Sequence, residues 1–137
     1  MRGVMFGNVH SYDDLKLILS SLKIPPAVKK VNKISIPGRS GDLDISDFLG
    51  EAFENRTLEF EFTYRGNRKN HLSHQSFLEN KINGKMLDVV IDEDGYKWHG
   101  RVSIKDCSEV NANIMSCSIE VDAEPYKENL TTGEKVL

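Results

Sequence analysis

The residues of this chain best equipped for chemistry are two cysteines, a histidine pair and two acidic groupings. Cys107 and Cys117 flank a predicted hairpin, where a cross-strand disulfide would be the obvious bond. Register opposes it. Matching the apolar faces sets Val102 beside Val121 and Ile104 beside Ile119, which leaves Asp106 opposite Cys117. A bulge would change that pairing; without one, the expectation is two unpaired thiols with Cys117 in the core. His71-x-x-His74 would share one helix face, but neither the cysteines nor His99 complete a zinc spacing. Solvated surface histidines are expected. Asp92-Glu93-Asp94-Gly95 lacks the spaced ligands and closing Glu of a calcium loop and reads as a solvated hairpin tip. Asp42 and Asp44 would share a strand face if Leu43 and Ile45 point inward. That could suit a paired-carboxylate hydrolase, but no aromatic-rich cleft accompanies them. Pro37-Gly-x-x-Gly41 is too short for a phosphate-binding loop and lacks its Lys-Ser/Thr. No serine sits in a Gly-x-Ser-x-Gly setting. Asn55-Arg56-Thr57 and Asn129-Leu130-Thr131 match the glycosylation acceptor, which matters only on a secretory route. The expectation is a protein that is not an enzyme and uses no cofactor or metal.

The elements that must carry these residues are mostly strands. Leu58, Phe60, Phe62 and Tyr64 alternate with Thr57, Glu59, Glu61 and Thr63, the period-two pattern of a strand with one wet face. Met86 to Ile91 is a second strand. Beyond the Asp-Gly turn, Tyr96, Trp98, Val102 and Ile104 oppose Lys97, His99, Arg101 and Lys105. After Asn111-Ala112-Asn113 turns the chain, Met115, Cys117, Ile119 and Val121 alternate with polar residues. Val28 to Ile36 reads as a strand stopping at Pro37-Gly38, followed by a turn-rich loop to Asp42. Leu15 to Leu22 fits a helix or a strand equally; Pro25-Pro26 ends it. Leu72, Leu78 and Ile82 fall near helical spacing between Asn67, a candidate N-cap, and Gly84. The sum is six or seven largely antiparallel strands and one helix. The fold class is mainly β (α+β), a β-sandwich or barrel with one flanking α-helix.

The whole chain has 137 residues, 39% of them hydrophobic, which suits one domain with a real core. With 18 Lys+Arg against 21 Asp+Glu the net charge is −3. That balance opposes a protein that grips nucleic acid through its phosphates. No apolar run is long enough to span a bilayer. The opening MRGVMFGNVHSYDDLK has no apolar core for a signal peptide, so synthesis in a cytosol with reduced thiols is expected. Residues 127–137 are polar and read as a tail or a broken connection.

Four segments in order resemble the N-terminal domain of the distal tail proteins of long-tailed siphophages. They are Phe6-Gly-Asn-Val-His10-Ser11-Tyr12-Asp-Asp-Leu15-Lys-Leu-Ile-Leu19; Ile36-Pro37-Gly38-Arg39-Ser-Gly41-Asp42-Leu43-Asp44; Asn55-Arg56-Thr57-Leu58-Glu-Phe60-Glu-Phe62; and the hairpin through Trp98-His-Gly100-Arg101, ending at Glu124-Pro125-Tyr126. The resemblance covers about residues 1–126. It implies a tail-tube-type β-sandwich with one helix, whose subunits form a homo-hexameric ring below the tail tube. Such a ring lets DNA pass without specific binding, and it contacts the tube protein on one side and a tail-associated hub or tip protein on the other. The implied location is the virion tail, after synthesis in the bacterial cytoplasm, with no membrane partner. Many members continue into a second, galectin-like domain, which is expected to be absent here. Phe6, His10, Pro37, Gly38, Arg39, Gly41, Asp42, Asp44 and Arg56 are the candidate assembly residues. Ordinary turn chemistry for Pro37, Gly38 and Gly41, and a structural hydrogen bond for Arg56, compete with that assignment.

Two other classes fit less well. A carbohydrate- or ligand-binding β-sandwich would use Tyr96 and Trp98 as an exposed stacking platform, whereas their alternation with Lys97 and His99 turns them inward. A small metal-dependent enzyme would be built on His71 and His74.

Overall fold

The strict alternation of residues 56–65 becomes the organising strand of the molecule. In a computed structural model, which describes residues 2–31, 33–44 and 52–137, Leu58, Phe60 and Phe62 are buried while Thr57, Glu59 and Glu61 face water. The strands are β1 (Val4–Phe6), β2 (Val9–His10), β3 (Leu17–Lys23), β4 (Lys33–Ser35), β5 (Asp42–Asp44) and β6 (Arg56–Arg65). Helix α1 (Arg68–Ile82) follows, then β7 (Met86–Ile91), β8 (Tyr96–Asn111), β9 (Ile114–Ala123), β10 (Lys127–Asn129) and β11 (Lys135–Val136). Among the described residues this is a mainly antiparallel β structure with one helix.

The main sheet runs β2-β1-β7-β8-β9-β6-β3, and β4 with β5 makes a separate hairpin. The sheet curls enough for β1, near one end of this order, to face β6, near the other. Phe6 meets Phe60 and Phe62 edge-on, with ring centroids 6.0 and 6.2 Å apart. Trp98, Val102, Met115, Ile119 and Val121 complete the core from β8 and β9. Aromatic edge-to-face contacts of this kind add to area burial.

The ambiguous run after Leu15 is resolved as a strand. Leu17 to Lys23 pairs along β6, and the register shifts between Leu19 and Ser21. The expected strand from Val28 to Ile36 shortens to Lys33–Ser35, because its partner is only the three-residue β5 and, among the described residues, no second apolar layer covers it. Val28, Val31, Ile34 and Ile36 all stay exposed.

Helix α1 starts and ends where its flanking Asn67 and Gly84 predict, though Asn67 makes no side-chain capping bond. The helix buries His71, Leu78 and Ile82. Leu72, expected on the apolar face, is 79% exposed. It is displaced because the buried face is set by 71, 78 and 82, which recur at helical spacing without it.

The surface-histidine expectation also fails. His71 is 4% exposed, and its Nε2 lies 2.8 Å from the Gly66 carbonyl oxygen. His74 stacks on Tyr64 at 3.8 Å between centroids, and burial pulls its pKa down. The region after Tyr126, expected as a tail, instead forms a hairpin: β10 pairs with β11 and with Lys97 and Tyr96 of β8.

The cysteine register needs the same kind of correction. Val102↔Val121 and Ile104↔Ile119 pair as expected, but the ladder then slips between Ile104 and Asp106. The extra residue on β8 moves Cys107, not Asp106, opposite Cys117. Both thiols are free.

Candidate assembly surface

Nine residues stand out in the sequence, and the structure places eight of them in two groups. Phe6, His10 and Arg56 are inside. Phe6 is 1% exposed and spends its ring on Phe60 and Phe62, so it has no surface to offer a neighbouring subunit. Its role is in the core, since it belongs to the inward face of β1.

His10 is also withdrawn from the surface. Its Nε2 lies 2.8 Å from Asp92 Oδ2, and the Asp92 carboxylate also accepts the Gly3 backbone N–H at 2.9 Å. His10 Nδ1 accepts the backbone N–H groups of Tyr12 and Asp13 at 3.1 and 3.2 Å. Those two donors fix the proton on Nε2, pointing at Asp92. Beside it, Ser11 Oγ accepts the Val4 N–H at 2.9 Å. A serine, histidine and aspartate thus meet, but Ser11 Oγ bonds the Val4 N–H, and both His10 ring nitrogens and Asp92 Oδ2 are already engaged. The cluster fastens the first turn of the chain to the β7–β8 turn. Burial works against the Asp92 charge, yet the hydrogen bonds from His10 and Gly3 outweigh it and hold the carboxyl below its usual range. Asp92 is therefore not the solvated hairpin tip expected of it.

Gly3 makes that cluster sterically feasible. A Cβ there would stand 2.6 Å from Ser11 Oγ and 2.8 Å from His10 Cε1.

Arg56 is 8% exposed. Its guanidinium lies over the Trp98 ring, 5.2 Å from the centroid, and Nη2 donates to the Leu137 carbonyl at 3.5 Å. Burial lowers its pKa, but an arginine stays charged in proteins. The alternative role anticipated for it, an internal structural contact, matches this position.

The second group is on the outside and lies together. Pro37, Gly38, Arg39, Gly41 and Asp42 are exposed along the turn joining β4 to β5. Gly38 and Gly41 both take positive φ, at 81° and 79°, as a turn of this shape requires. Asp44 ends β5 opposite Lys33. Its side chain and Ile45 lie outside the described residues, and with them the paired-carboxylate reading. The same arm presents Val28, Val31, Ile34 and Ile36 to solvent.

A second surface was not singled out by sequence. On the wet face of β6 and β9, Glu59 stands opposite Glu120, and Thr57 opposite Asp122. Glu61 accepts a hydrogen bond from Ser118 Oγ at 2.8 Å. Lys105 approaches Glu120 at 3.6 Å. The Thr/Glu alternation that signalled the strand was the available clue to these carboxylates, which Lys23 opposite Glu59 and Arg101 opposite Asp122 partly balance. Among the described residues no three His, Cys, Asp or Glu side chains converge to hold a metal ion. A cleft of about 330 Å³ is lined by Asp88, Lys97, His99 and Glu128 among others. Its polar lining is already partnered: Lys97 pairs with Glu128 at 3.0 Å, and His99 Nδ1 hydrogen-bonds Asp88 at 2.9 Å.

No protein-family model and no curated protein matches the chain. Among solved structures it is similar to the Dit protein (gp 19.1) of SPP1, presented as a paradigm of the hub adsorption apparatus in phages infecting Gram-positive bacteria. The likeness has a TM-score of 0.72 at 14% sequence identity and covers 94% of this chain. The chain spans about half of that structure, 52% of its length. The curled sheet and helix α1 thus resemble the fold of about half of that hub protein, built from a largely different sequence.

Proposed function

We propose that this chain is a phage or prophage virion structural protein, a ring-forming distal tail component. It joins the tail tube to the tail tip or baseplate and leaves a channel through which DNA passes. The observation that carries this reading is the fold likeness to the SPP1 hub protein over nearly the whole chain. Its role is structural rather than catalytic, its location is the virion tail, and it is made in the bacterial cytoplasm.

Two surfaces give the reading physical content. The β4–β5 arm exposes four aliphatic residues in one short segment, and apolar surface grouped in this way favours a covering partner. The occupant we propose is the next copy of this chain, contacted head to tail, with Pro37, Gly38, Arg39, Gly41, Asp42 and Asp44 at the contact. Heterologous contacts of that kind close into rings when the rotation per subunit divides a full turn, here into six. The tube protein and a hub or tip protein would take the two ring faces. The face carrying Glu59, Glu61, Glu120 and Asp122 suits the channel wall, because its cations Lys23, Arg101 and Lys105 stand beside carboxylates and give DNA phosphates little grip. Among the described residues no helix is long and apolar enough to cross a membrane.

The carbohydrate-binding alternative needs an aromatic platform. Trp98 is buried in the core, and Tyr96 lies under Lys127, whose Nζ is 4.4 Å from the ring centroid. The test of the tail reading is mass in solution by light scattering across a concentration series, with negative-stain images of the largest species. Closed rings of six are expected. Closed rings of another number would overturn the hexamer, and glycan binding by the monomer would overturn the tail reading in favour of a binding module.

A further inference from the structure

The slip in the β8–β9 ladder places Cys107 directly opposite Cys117, with the sulfurs 3.3 Å apart. Directly opposed residues of an antiparallel pair have Cα atoms about 4.5–5.5 Å apart, within the span that a disulfide bridges. The two thiols are unequally placed. Cys117 is fully buried, whereas Cys107 is part-exposed and lines a cleft of about 250 Å³ with Arg68, His71, Gln75 and Glu109. A solute can therefore reach Cys107 and not Cys117.

We propose that Cys107 and Cys117 are an attacking and a resolving thiol, which small-molecule disulfides convert into an intramolecular cross-strand disulfide. The Cys107 thiolate attacks one sulfur of R–S–S–R. The S–S bond breaks, RS⁻ leaves and takes up a proton, and a mixed disulfide remains on Cys107. Cys117 sulfur then attacks Cys107 Sγ while its proton passes to the departing sulfur, so the second R–S group leaves as R–SH. In sum, two protein thiols lose two electrons and two protons, and one R–S–S–R becomes two R–SH.

The order of attack follows from the surroundings. The neighbouring Cys117 thiol stabilises a Cys107 thiolate by hydrogen bonding and lowers its pKa, against burial and the carboxylates of Glu79 and Asp106. At Cys117 the same contact, burial, Asp106 and Glu61 all hold the proton on. Arg68 faces the cleft but is engaged by Glu109 at 2.6 Å, and His71 Nδ1 lies 3.6 Å from the same carboxylate. The reaction should accelerate with rising pH as Cys107 ionises.

The experiment is to incubate the folded full chain with oxidised glutathione at mildly alkaline pH, quench with acid, and measure intact mass and free thiols. The expected product is lighter by two hydrogen atoms, holds no glutathione and has no titratable thiol after unfolding. Cys117→Ala should instead retain one glutathione on Cys107. Cys107→Ala should stay unmodified while folded and react once unfolded in urea. The proposal is overturned if the wild-type chain stops at a stable mixed disulfide, becomes cross-linked between chains, or does not react while folded. Near-UV circular dichroism verifies that each variant is folded. None of these outcomes depends on the tail assignment.

Discussion

His10 and Asp92 stand 82 residues apart in the chain and 2.8 Å apart in space, and that one contact ties the first strands to the β7–β8 turn. The carboxylate serves the imidazole and the Gly3 amide at once. Asp92→Asn keeps the shape but loses the charge. It should lower unfolding free energy by about 1–2 kcal/mol at neutral pH, a figure kept small because the group is partly solvated. The sign with pH follows from the lowered pKa of the folded carboxyl. Its contribution is complete above the unfolded value and is lost as pH falls through the folded one. Urea titrations of the two proteins should therefore differ at pH 7 and converge in strong acid. A difference that grows on acidification would contradict the assignment.

Gly100 offers a sharper steric test. A Cβ at this position would lie 2.5 Å from the Asp122 carbonyl oxygen and 2.7 Å from Ala123 Cα, both main-chain atoms of the adjacent strand. Backbone cannot swing aside as a side-chain tip can, so Gly100→Ala should cost about 2–3 kcal/mol. Gly38→Ala meets nothing within 4 Å and is opposed only by its positive φ. It should cost about 1 kcal/mol. Thermal unfolding of the pair should rank them in that order.

The helix gives a paired comparison. Leu78 is fully buried and Leu72 is 79% exposed, although both are leucines of the same helix. Leu78→Ala should destabilise by about 2–5 kcal/mol. Leu72→Glu should stay within about 0.5 kcal/mol of wild type. Equal losses would mean that a partner surface covers Leu72 in solution.

The assembly reading predicts a separation of stability from association. Ile34→Asp in the exposed arm should leave the monomer's unfolding midpoint within a degree or two while reducing ring formation at least about tenfold, since a buried unpaired charge costs several kcal/mol at an interface. Analytical ultracentrifugation reads the second effect and calorimetry the first. Rings that survive the substitution would remove the arm from the contact.

Legibility in the sequence followed the physics of each element. The strand at Thr57–Tyr64 was legible because one face is buried and one is wet, so alternation in sequence equals alternation in space. The helix was legible from its flanking Asn67 and Gly84. The cysteine pairing was not, because the slip beside Lys105 adds one residue to a single strand, and no residue type marks the spot. Strand β10 was hidden as well. Its residues are polar, and its place on β8 is held by main-chain pairing and the Lys97–Glu128 ion pair rather than by apolar burial. Of the candidate assembly residues, the exposed turn was legible from Pro37, Gly38 and Gly41. The inward fate of His10 was hidden, because its partner Asp92 is remote in sequence.

Strand β3 ends the sheet order, and among the described residues its outer edge carries no strand. An open edge is a template on which further chains could add without limit. This edge is poorly suited to that. The register shift between Leu19 and Ser21 breaks its regular hydrogen-bonding rhythm, Lys16 and Lys23 flank it, and Pro25-Pro26 follows within two residues. Such features are how natural sheets discourage fibrils. A sheet edge of this design resists adding further copies through its backbone however concentrated the protein becomes.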